Sequence, residues 1–155
     1  MTETREFFYN SPFGCLKIIM SGSAVAGLSF CRKTNTDLLP YIGQEAVITE
    51  LDKYFSGKSQ NFSVPIKLVG TSFEISVWNL LLKIPYGKTM TYSDVGHLLG
   101  DRNYARAVGN ACNKNPIAII VPCHRVVPKS HKTPGNYAYG SEIKKSLIEL
   151  EKNYL

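Results

Sequence analysis

Hydrophobic periodicity changes near residue 70, and this change constrains the fold more than any other feature of the chain. Before it, three short segments alternate in the manner of β-strands and are separated by turn sequences. These strands are REFFYN, GCLKIIM and AVAGLSF, with SPFG and SGS between them. After it, the apolar spacing is mostly helical. The pattern predicts an α+β protein with a scaffold domain at residues 1–70 and a second domain at residues 71–155.

The rest of the first half adds one helix to this scaffold. In EAVITELDKYFSG, Val47, Leu51 and Tyr54 recur at helical spacing, and Gly57 ends the segment. QNFSVPIKL then returns to extended character. No constellation of catalytic residue types is found in this half, so a supporting role is expected for it.

The second half predicts a series of helices. TSFEISVWNLLLKIP is apolar around most of its circumference, as a helix buried between neighbours would be. In TYSD, Thr91 and Asp94 have the spacing of a capping box, which predicts a helix from there to about Leu99, ended by Gly100. A further helix is predicted from about Asn103 to Asn113. Two short helices joined by GDRN predict a helix-turn-helix.

The second helix of this pair has a polar face and small side chains elsewhere. The polar residues recur every three or four positions; they are Arg102, Arg106, Asn110 and Asn113. Small residues allow a backbone to approach a partner closely, and arginines suit phosphates. A solvated polar face is the alternative. Residues 71–155 hold eleven Lys/Arg and six Asp/Glu, a net charge of +5 in a chain of +6, which favours a nucleic-acid partner.

Cysteine spacing and hydropathy exclude several classes of protein. The four cysteines lack any Cys-x-x-Cys spacing, so neither a secreted disulfide framework nor a zinc knuckle is predicted. The segment MTETREFFYN has no apolar signal core, and no stretch has the length of a membrane span. We expect a soluble, intracellular protein with reduced thiols, in the cytoplasm or nucleus depending on the organism.

The run IAIIVPCHRVV places a cysteine beside a histidine. Asn115-Pro116 stops the preceding helix, IAIIV predicts a buried strand, and Pro122 sets Cys123 at its rigid end. Cys123 is a candidate nucleophile, metal ligand or small core residue. A thiol needs a nearby base to react at neutral pH. Because neighbours in an extended chain point in opposite directions, His124 can serve only through a turn or a water.

A third polar residue, Glu151, lies in the last predicted helix, SEIKKSLIELEKN. Ile143, Leu147 and Leu150 form an apolar stripe, and Glu151 lies beside this stripe. Two positions are open to its carboxylate. It either turns into the core, which requires a partner, or frays outward near the C-terminus.

Five motifs in order resemble the O6-alkylguanine-DNA alkyltransferases over essentially all of residues 72–155. They are TYSDVGHLLG, ARAVGNA, NPIAIIVPCHRVV, GNYAYG and KKSLIELE. The resemblance implies a ribonuclease-H-like N-terminal α/β domain and a mostly helical, winged-helix-like C-terminal domain. It implies direct, irreversible transfer of an alkyl group, typically methyl, from O6 of guanine or O4 of thymine to Cys123. The target base would be flipped out of double-stranded DNA bound through its minor groove.

The same resemblance implies roles for individual residues. Cys123 is the acceptor, His124 takes its proton through a water, Glu151 orients His124, Asn115 holds the hinge, and Tyr92 assists departure of the guanine. The implied DNA contacts are the finger Arg106 with Ala105, Ala107, Gly109, Ser93 and Arg102. The implied pocket residues are Val126, Tyr137 and Tyr139. A single-turnover monomer, cooperative on DNA in some members, is implied, with no metal and no organic cofactor.

Two departures and three rival hypotheses qualify the resemblance. The first half has only Cys15 and Cys31 and no histidine, so no zinc is predicted there. Ala138 replaces a serine of some relatives, which leaves O6 to backbone donors. The rivals are an alkyltransferase-like protein that binds damage without reacting, a plain helix-turn-helix protein, and a cysteine hydrolase using His97 or His131.

Overall fold

A computed structural model describes residues 3–31, 45–130 and 132–155 as two compact units. The first unit comprises the described residues up to Leu68 together with Pro116–Ala118. The second comprises Val69–Asn115 and the described residues of Ile119–Leu155. Residues 116–118, which the sequence assigns to the second domain, therefore belong to the first unit.

The first unit contains an antiparallel three-stranded sheet of order β1-β2-β3. Its strands are β1 (Thr4–Ser11), β2 (Gly14–Ser21) and β3 (Ala24–Phe30), followed by helix α1 (Ala46–Phe55). Every one of these elements is predicted by the alternating or helical spacing. The alternation of β2 buries Leu16, Ile18 and Met20, and the helical spacing of α1 buries Val47, Leu51 and Tyr54.

Two extended segments pair with β3 outside the regular sheet. Ile66, in the segment predicted to be extended, makes only an isolated bridge with Val25. Leu28 donates its N–H to the Pro116 carbonyl at 2.9 Å and accepts from the Ala118 N–H at 2.8 Å. These two hydrogen bonds explain why residues 116–118 belong to the first unit.

The second unit contains four helices and a two-stranded parallel ladder. Its regular elements are α2 (Ser72–Leu81), β4 (Met90–Thr91), α3 (Tyr92–Leu98), α4 (Ala105–Asn113), β5 (Val126–Val127) and α5 (Ser141–Asn153). Two 3-10 turns, Arg102–Tyr104 and Cys123–Arg125, precede α4 and β5. Strands and helices are thus both present in the molecule, and the predicted α+β class is confirmed.

Helix α2 departs from its prediction in how much of it is buried. A reciprocal capping box between Thr71 and Glu74 starts the helix. One face is buried, and Trp78 on that face donates its indole N–H to the Ala111 carbonyl at 2.9 Å. Ser76 and Asn79 are exposed, so the expectation of burial on most sides is wrong. The apolar residues at intermediate positions remain half-exposed at the edges of the buried face.

Helices α3 and α4 form the predicted helix pair. The Thr91 side chain accepts from the Asp94 N–H at 3.0 Å, which confirms the cap, and Gly100 ends α3 at φ 122°. The second helix begins later than predicted, because its first turn is the 3-10 turn Arg102–Tyr104. Gly96 allows this close connection, since a Cβ there would lie 2.9 Å from the Asp101 carbonyl oxygen.

The predicted strand IAIIV is wrong. All five residues from 117 to 121 are buried, yet residues 118–120 form a turn in which Ile119 has φ 71°. A short buried apolar run does not by itself distinguish a strand from a buried turn. Cys123 consequently lies in a 3-10 turn, not at the end of a strand.

No helix within the described ranges combines the length and hydropathy that crossing a bilayer requires.

Candidate active site

Cys123 is held in a tight turn by the side chain of Asn115. The Asn115 amide nitrogen donates to the Val121 carbonyl at 2.8 Å and lies 3.2 Å from the Cys123 sulfur. Asn115 is itself buried, directly after α4. Only 4% of Cys123 is exposed. Asn115 and Cys123 are therefore in contact, at the position where the chain leaves the helix pair.

His124 and Glu151 form a buried pair. The Nε2 atom of His124 lies 2.6 Å from Oε2 of Glu151, and both side chains are almost fully excluded from solvent. An ionised carboxylate only accepts hydrogen bonds, so this contact places the imidazole proton on Nε2. Nδ1 then carries the lone pair. It is buried and makes no hydrogen bond to any described residue.

The sequence reasoning missed Arg125, which completes this cluster. Arg125 donates from Nε to Oε1 of Glu151 at 2.8 Å and from Nη2 to Oε2 at 3.1 Å. Its Nη1 donates to the Ile84 carbonyl at 2.7 Å. The Gly87 N–H also reaches Oε1 of Glu151, at 3.1 Å. Of the two positions open to Glu151, the structure has the buried one, with partners on both carboxylate oxygens.

The charges of this cluster follow from burial and pairing. Burial alone would raise the pKa of Glu151, but the hydrogen bonds and charges of His124 and Arg125 hold it far below its usual range. Burial lowers the pKa of His124 more than Glu151 raises it, so the imidazole is neutral at rest. Arg125 is always charged, so Glu151 keeps a permanent counterion while His124 is neutral. The arrangement is a carboxylate, a neutral imidazole and a guanidinium.

The Cys123 thiol is protonated at rest. Burial raises its pKa, and the hydrogen bond from Asn115, the charge of Lys144 and the nearby Tyr137 offset this only in part. A thiol of this kind reacts only if a base removes its proton. The neighbouring His124 offers such a base at Nδ1.

Lys144, which the sequence reasoning also missed, contacts the predicted residue Tyr92. The Lys144 side chain is fully buried on α5, and its Nζ lies 3.1 Å from the Tyr92 hydroxyl. Burial raises the pKa of Tyr92 to about 12. Lys144 lies three residues before Leu147 and seven before Glu151, so helical spacing puts it beside the apolar stripe, a signal that the sequence reasoning did not use.

The predicted pocket residues are Val126, Tyr137 and Tyr139, and two of them are tied to Cys123 by position or by their effect on its pKa. Tyr137 and Tyr139 stack edge to face with ring centroids 5.4 Å apart, and Tyr137 lowers the pKa of the Cys123 thiol. Val126 is fully buried in β5, directly after the turn that carries Cys123. Ala138, between the two tyrosines, is exposed.

An open groove of about 560 Å³ lies along α4. Among the residues predicted to touch DNA, Ala105, Arg106 and Gly109 line it together with Tyr92. The others lie outside its lining: Arg102 pairs with Asp94 at 3.2 Å, Ser93 is 3.3 Å from the Thr91 hydroxyl, and Ala107 is half-buried.

The remaining histidines do not enter the described site. His97 is exposed on α3. His131 lies outside the described residues. Among the described residues, His124 is therefore the histidine that joins Glu151 and Arg125 in the buried cluster.

The site thus combines a buried thiol with an adjacent imidazole held by a carboxylate, in an α+β fold of two units. Residues 72–153 match the family model for the DNA-binding domain of 6-O-methylguanine DNA methyltransferases. Residues 5–68 match the model for the ribonuclease-like domain of the same proteins. The chain belongs to the 6-O-methylguanine DNA methyltransferase family, and the resemblance inferred from the motifs is confirmed.

Individual relatives cover nearly the whole chain. A methylated-DNA–protein-cysteine methyltransferase of Mycobacterium leprae is 41% identical over 149 residues, which are 93% of this chain and 90% of the relative. The crystal structure of Mycobacterium tuberculosis O6-methylguanine methyltransferase aligns with a TM-score of 0.87 at 38% identity, covering 99% of this chain and 95% of that one. The M. tuberculosis protein in complex with DNA aligns with the same TM-score at 39% identity, covering 96% and 93%.

Proposed function

We propose that the protein repairs DNA by transferring an alkyl group, typically methyl, from O6 of guanine in double-stranded DNA to Cys123. Each molecule acts once, because a thioether offers no leaving group for a second cycle. The relatives are methyltransferases of this kind, and one of them is solved with DNA. O4-alkylthymine is the second substrate, since the same displacement at an exocyclic oxygen applies to it.

The observation that carries this proposal is the tautomer of His124. Glu151 holds the proton on Nε2, so Nδ1 keeps a free lone pair, and it is buried without a hydrogen bond to any described residue. The base takes the Cys123 proton through a water molecule, and the thiolate attacks the alkyl carbon. The C–O6 bond breaks as the S–C bond forms. Glu151 stabilises the imidazolium that results, as the carboxylate of other nucleophile–base pairs does.

The groove along α4 is the proposed DNA interface. An O6 carbon inside a duplex is out of reach, so the base must be extruded at a cost of a few kcal/mol. Arg106 is exposed on the groove and fills the stack in place of the base, which offsets part of this cost. The small residues Ala105 and Gly109 let the helix backbone approach the minor groove. The described residues of 71–155 form the DNA-binding and acceptor domain, and those of 1–70 support it.

Incubation with a duplex oligonucleotide that carries one O6-methylguanine tests the proposal. Intact mass and peptide mapping should give one added methyl on Cys123, restored guanine, and no product beyond one equivalent of protein. Cys123→Ala should bind the duplex without transfer. Cys31→Ala, which removes a half-buried thiol of the first unit, is the matched control and should transfer normally.

The binding-only hypothesis predicts a different result from the same experiment. A damage sensor would hold the modified duplex tightly while Cys123 stays unmodified. That outcome would overturn the proposal. Methyl on another cysteine would remove Cys123 from the acceptor role while keeping the repair activity.

A further inference from the structure

Two cysteines of the first unit, Cys15 and Cys31, lie opposite each other at the end of the ladder between β2 and β3. The antiparallel register of these strands ends at Leu16 opposite Phe30. One step further along each strand, the Cys31 N–H donates to the Cys15 carbonyl at 2.9 Å. Residues directly opposite one another in an antiparallel pair point to the same face of the sheet. The two thiols are therefore cross-strand neighbours.

The pair lies on the sheet face opposite to the core residues of β2. Leu16, Ile18 and Met20 are buried on one face, and Cys15 alternates with them onto the other. Cys15 is nonetheless buried, whereas Cys31 is half-buried. Burial, with a smaller contribution from Cys31, raises the pKa of the Cys15 thiol to about 11. This contribution from Cys31 agrees with the close approach of the two thiols that the ladder imposes.

The spacing of such a pair matches that of a disulfide. Hydrogen-bonded partners in an antiparallel ladder have Cα atoms about 5.5 Å apart. A disulfide requires Cα atoms about 4.4–6.8 Å apart and side chains that point toward each other. Cys15 and Cys31 meet the first condition through their main-chain hydrogen bond and the second by sharing a face. A bond between them is therefore compatible with the strand pairing as it stands.

Of the four cysteines of the chain, Cys31 is the one that solvent reaches. The other three, Cys15, Cys112 and Cys123, are buried. Burial also raises the pKa of the Cys112 and Cys123 thiols, which leaves less of the reactive thiolate form. Because a thiol reacts with a disulfide only if the reagent has access to it, such a reagent meets Cys31 first. Cys15 is the thiol placed to respond.

We propose that Cys15 and Cys31 are a redox-active dithiol that reacts with small-molecule disulfides and closes to a cross-strand disulfide, while Cys123 stays a thiol. Both cysteines are free thiols in the structure described here. The new bond joins β2 to β3 and closes the chain between residues 15 and 31. Because a cross-link restricts the unfolded chain, oxidation stabilises the first unit. The assignment does not rest on the proposed function.

The exchange balances with the small disulfide as the oxidant. The Cys31 sulfur loses its proton to solvent and attacks one sulfur of the reagent, so the reagent's S–S bond breaks as the bond to Cys31 forms. The released thiolate takes up a proton. Cys15 then loses its proton and attacks the Cys31 sulfur, which forms the internal disulfide and releases a second small thiol. Two protein thiols are oxidised by two electrons, and one small disulfide is reduced to two thiols.

The position of the pair also determines how the bond responds to its surroundings. Exposed disulfides have higher reduction potentials than buried structural ones and are the labile kind. Because Cys31 is half-buried, a small thiol can reach the bond and reopen it. The bond therefore follows the thiol–disulfide balance around the protein, and Cys123 remains available in both states.

The test is incubation of the full chain with glutathione disulfide. Remaining thiols are then blocked with iodoacetamide under denaturing conditions, and non-reducing peptide mapping identifies the linked cysteines. Cys15→Ser and Cys31→Ser each remove one partner of the pair. Cys123→Ala is the matched control, since it removes a thiol of the second unit. Thermal unfolding of each protein is measured before and after oxidation.

The expected result is one internal disulfide between Cys15 and Cys31, in the unmodified protein and in Cys123→Ala alike. Cys112 and, where present, Cys123 should be recovered as blocked thiols. Oxidation should raise the Tm by roughly 5–10 °C, and dithiothreitol should reverse the rise. Neither serine variant of the pair should show it. Cys15→Ser should instead retain glutathione on Cys31, because the second thiol that would displace it is missing.

Three outcomes would overturn the inference. Glutathione that stays on Cys31 of the unmodified protein would mean that the two sulfurs do not meet. A bond that includes Cys112 or Cys123, or four thiols that remain unreacted, would place the reactivity elsewhere or nowhere. An internal bond without a rise in Tm would refute the stabilisation. Each of these results leaves the proposed function intact, and failure to methylate Cys123 would leave the dithiol assignment intact.

Discussion

Glu151 and Lys144 are two buried charges on one helix, and their surroundings differ. They are seven residues apart on α5, which is about two turns, so they lie on similar faces. Glu151 is held by a guanidinium, an imidazole and a backbone N–H, whereas Lys144 meets a hydroxyl and a carbonyl. A charge with a permanent counterion keeps its state across the pH range. A charge with neutral partners can change its state near physiological pH.

The largest test of this difference is removal of the counterion. Arg125→Met leaves the Glu151 carboxylate buried without its permanent cation, and we expect a loss of about 3–5 kcal/mol in the free energy of unfolding. Urea unfolding at pH 7 measures this loss, with Lys152→Met, exposed on α5, as the control. A loss below about 1 kcal/mol would mean that His124 and Gly87 suffice to hold the carboxylate.

The stability of the Arg125→Met variant at low pH follows from the pKa of Glu151. Because its folded-state pKa is depressed, its contribution to stability is complete above the unfolded value, about 4.3, and is lost as the pH falls through the folded value. Arg125→Met should therefore move the acid unfolding of the protein to higher pH.

A second test separates the charge of Glu151 from its shape. Glu151→Gln keeps a side chain of the same size but cannot stabilise the imidazolium of His124, so alkyl transfer should slow about 100-fold. The pH dependence of Cys123 alkylation by iodoacetamide should also move to higher pH. An unchanged pH profile would remove Glu151 from the proton-transfer step.

The smallest effect is expected at Lys144, and it has the opposite sign. Lys144→Met removes a buried charge that lacks a counterion, so it should stabilise the protein by roughly 1–2 kcal/mol at pH 7. The depressed pKa means that the unfolded chain binds a proton that the folded protein releases above about 8. The unmodified protein should therefore approach the stability of the variant as the pH rises toward 10. A variant that is less stable at pH 7 would show that the lysine is adequately compensated.

The sequence predicted the elements whose signal is local. The alternation in β1, β2 and β3, and the Thr91–Asp94 cap of α3, correspond to backbone preferences that neighbours in the chain impose. The run at residues 117–121 was assigned wrongly as a strand. Its apolar composition correctly indicated burial, but its turn conformation depends on hydrogen bonds with Asn115 and Leu28. Those partners are not adjacent in the sequence.

The candidate site was predictable only as far as its motifs extend. Cys123, His124 and Asn115 share one motif, and the stripe on the last helix left two positions open for Glu151. Arg125 and Lys144 also lie within these motifs, but the motifs gave them no role and did not mark them as buried, because charged side chains are expected at the surface. Only the fold reveals that each is turned inward, one toward a carboxylate and one toward a tyrosine.

The parallel ladder between β4 and β5 has a consequence for protein engineering. Met90 pairs with Val126 and Thr91 with Val127, and these short strands directly join Tyr92 to the turn of Cys123. The spacing between Cys123 and the groove is thus set by main-chain bonds, which side-chain substitutions leave in place. Randomised libraries on the exposed positions of α4, such as Arg106 and Asn110, should therefore redirect which substrates reach the thiol without altering its reactivity.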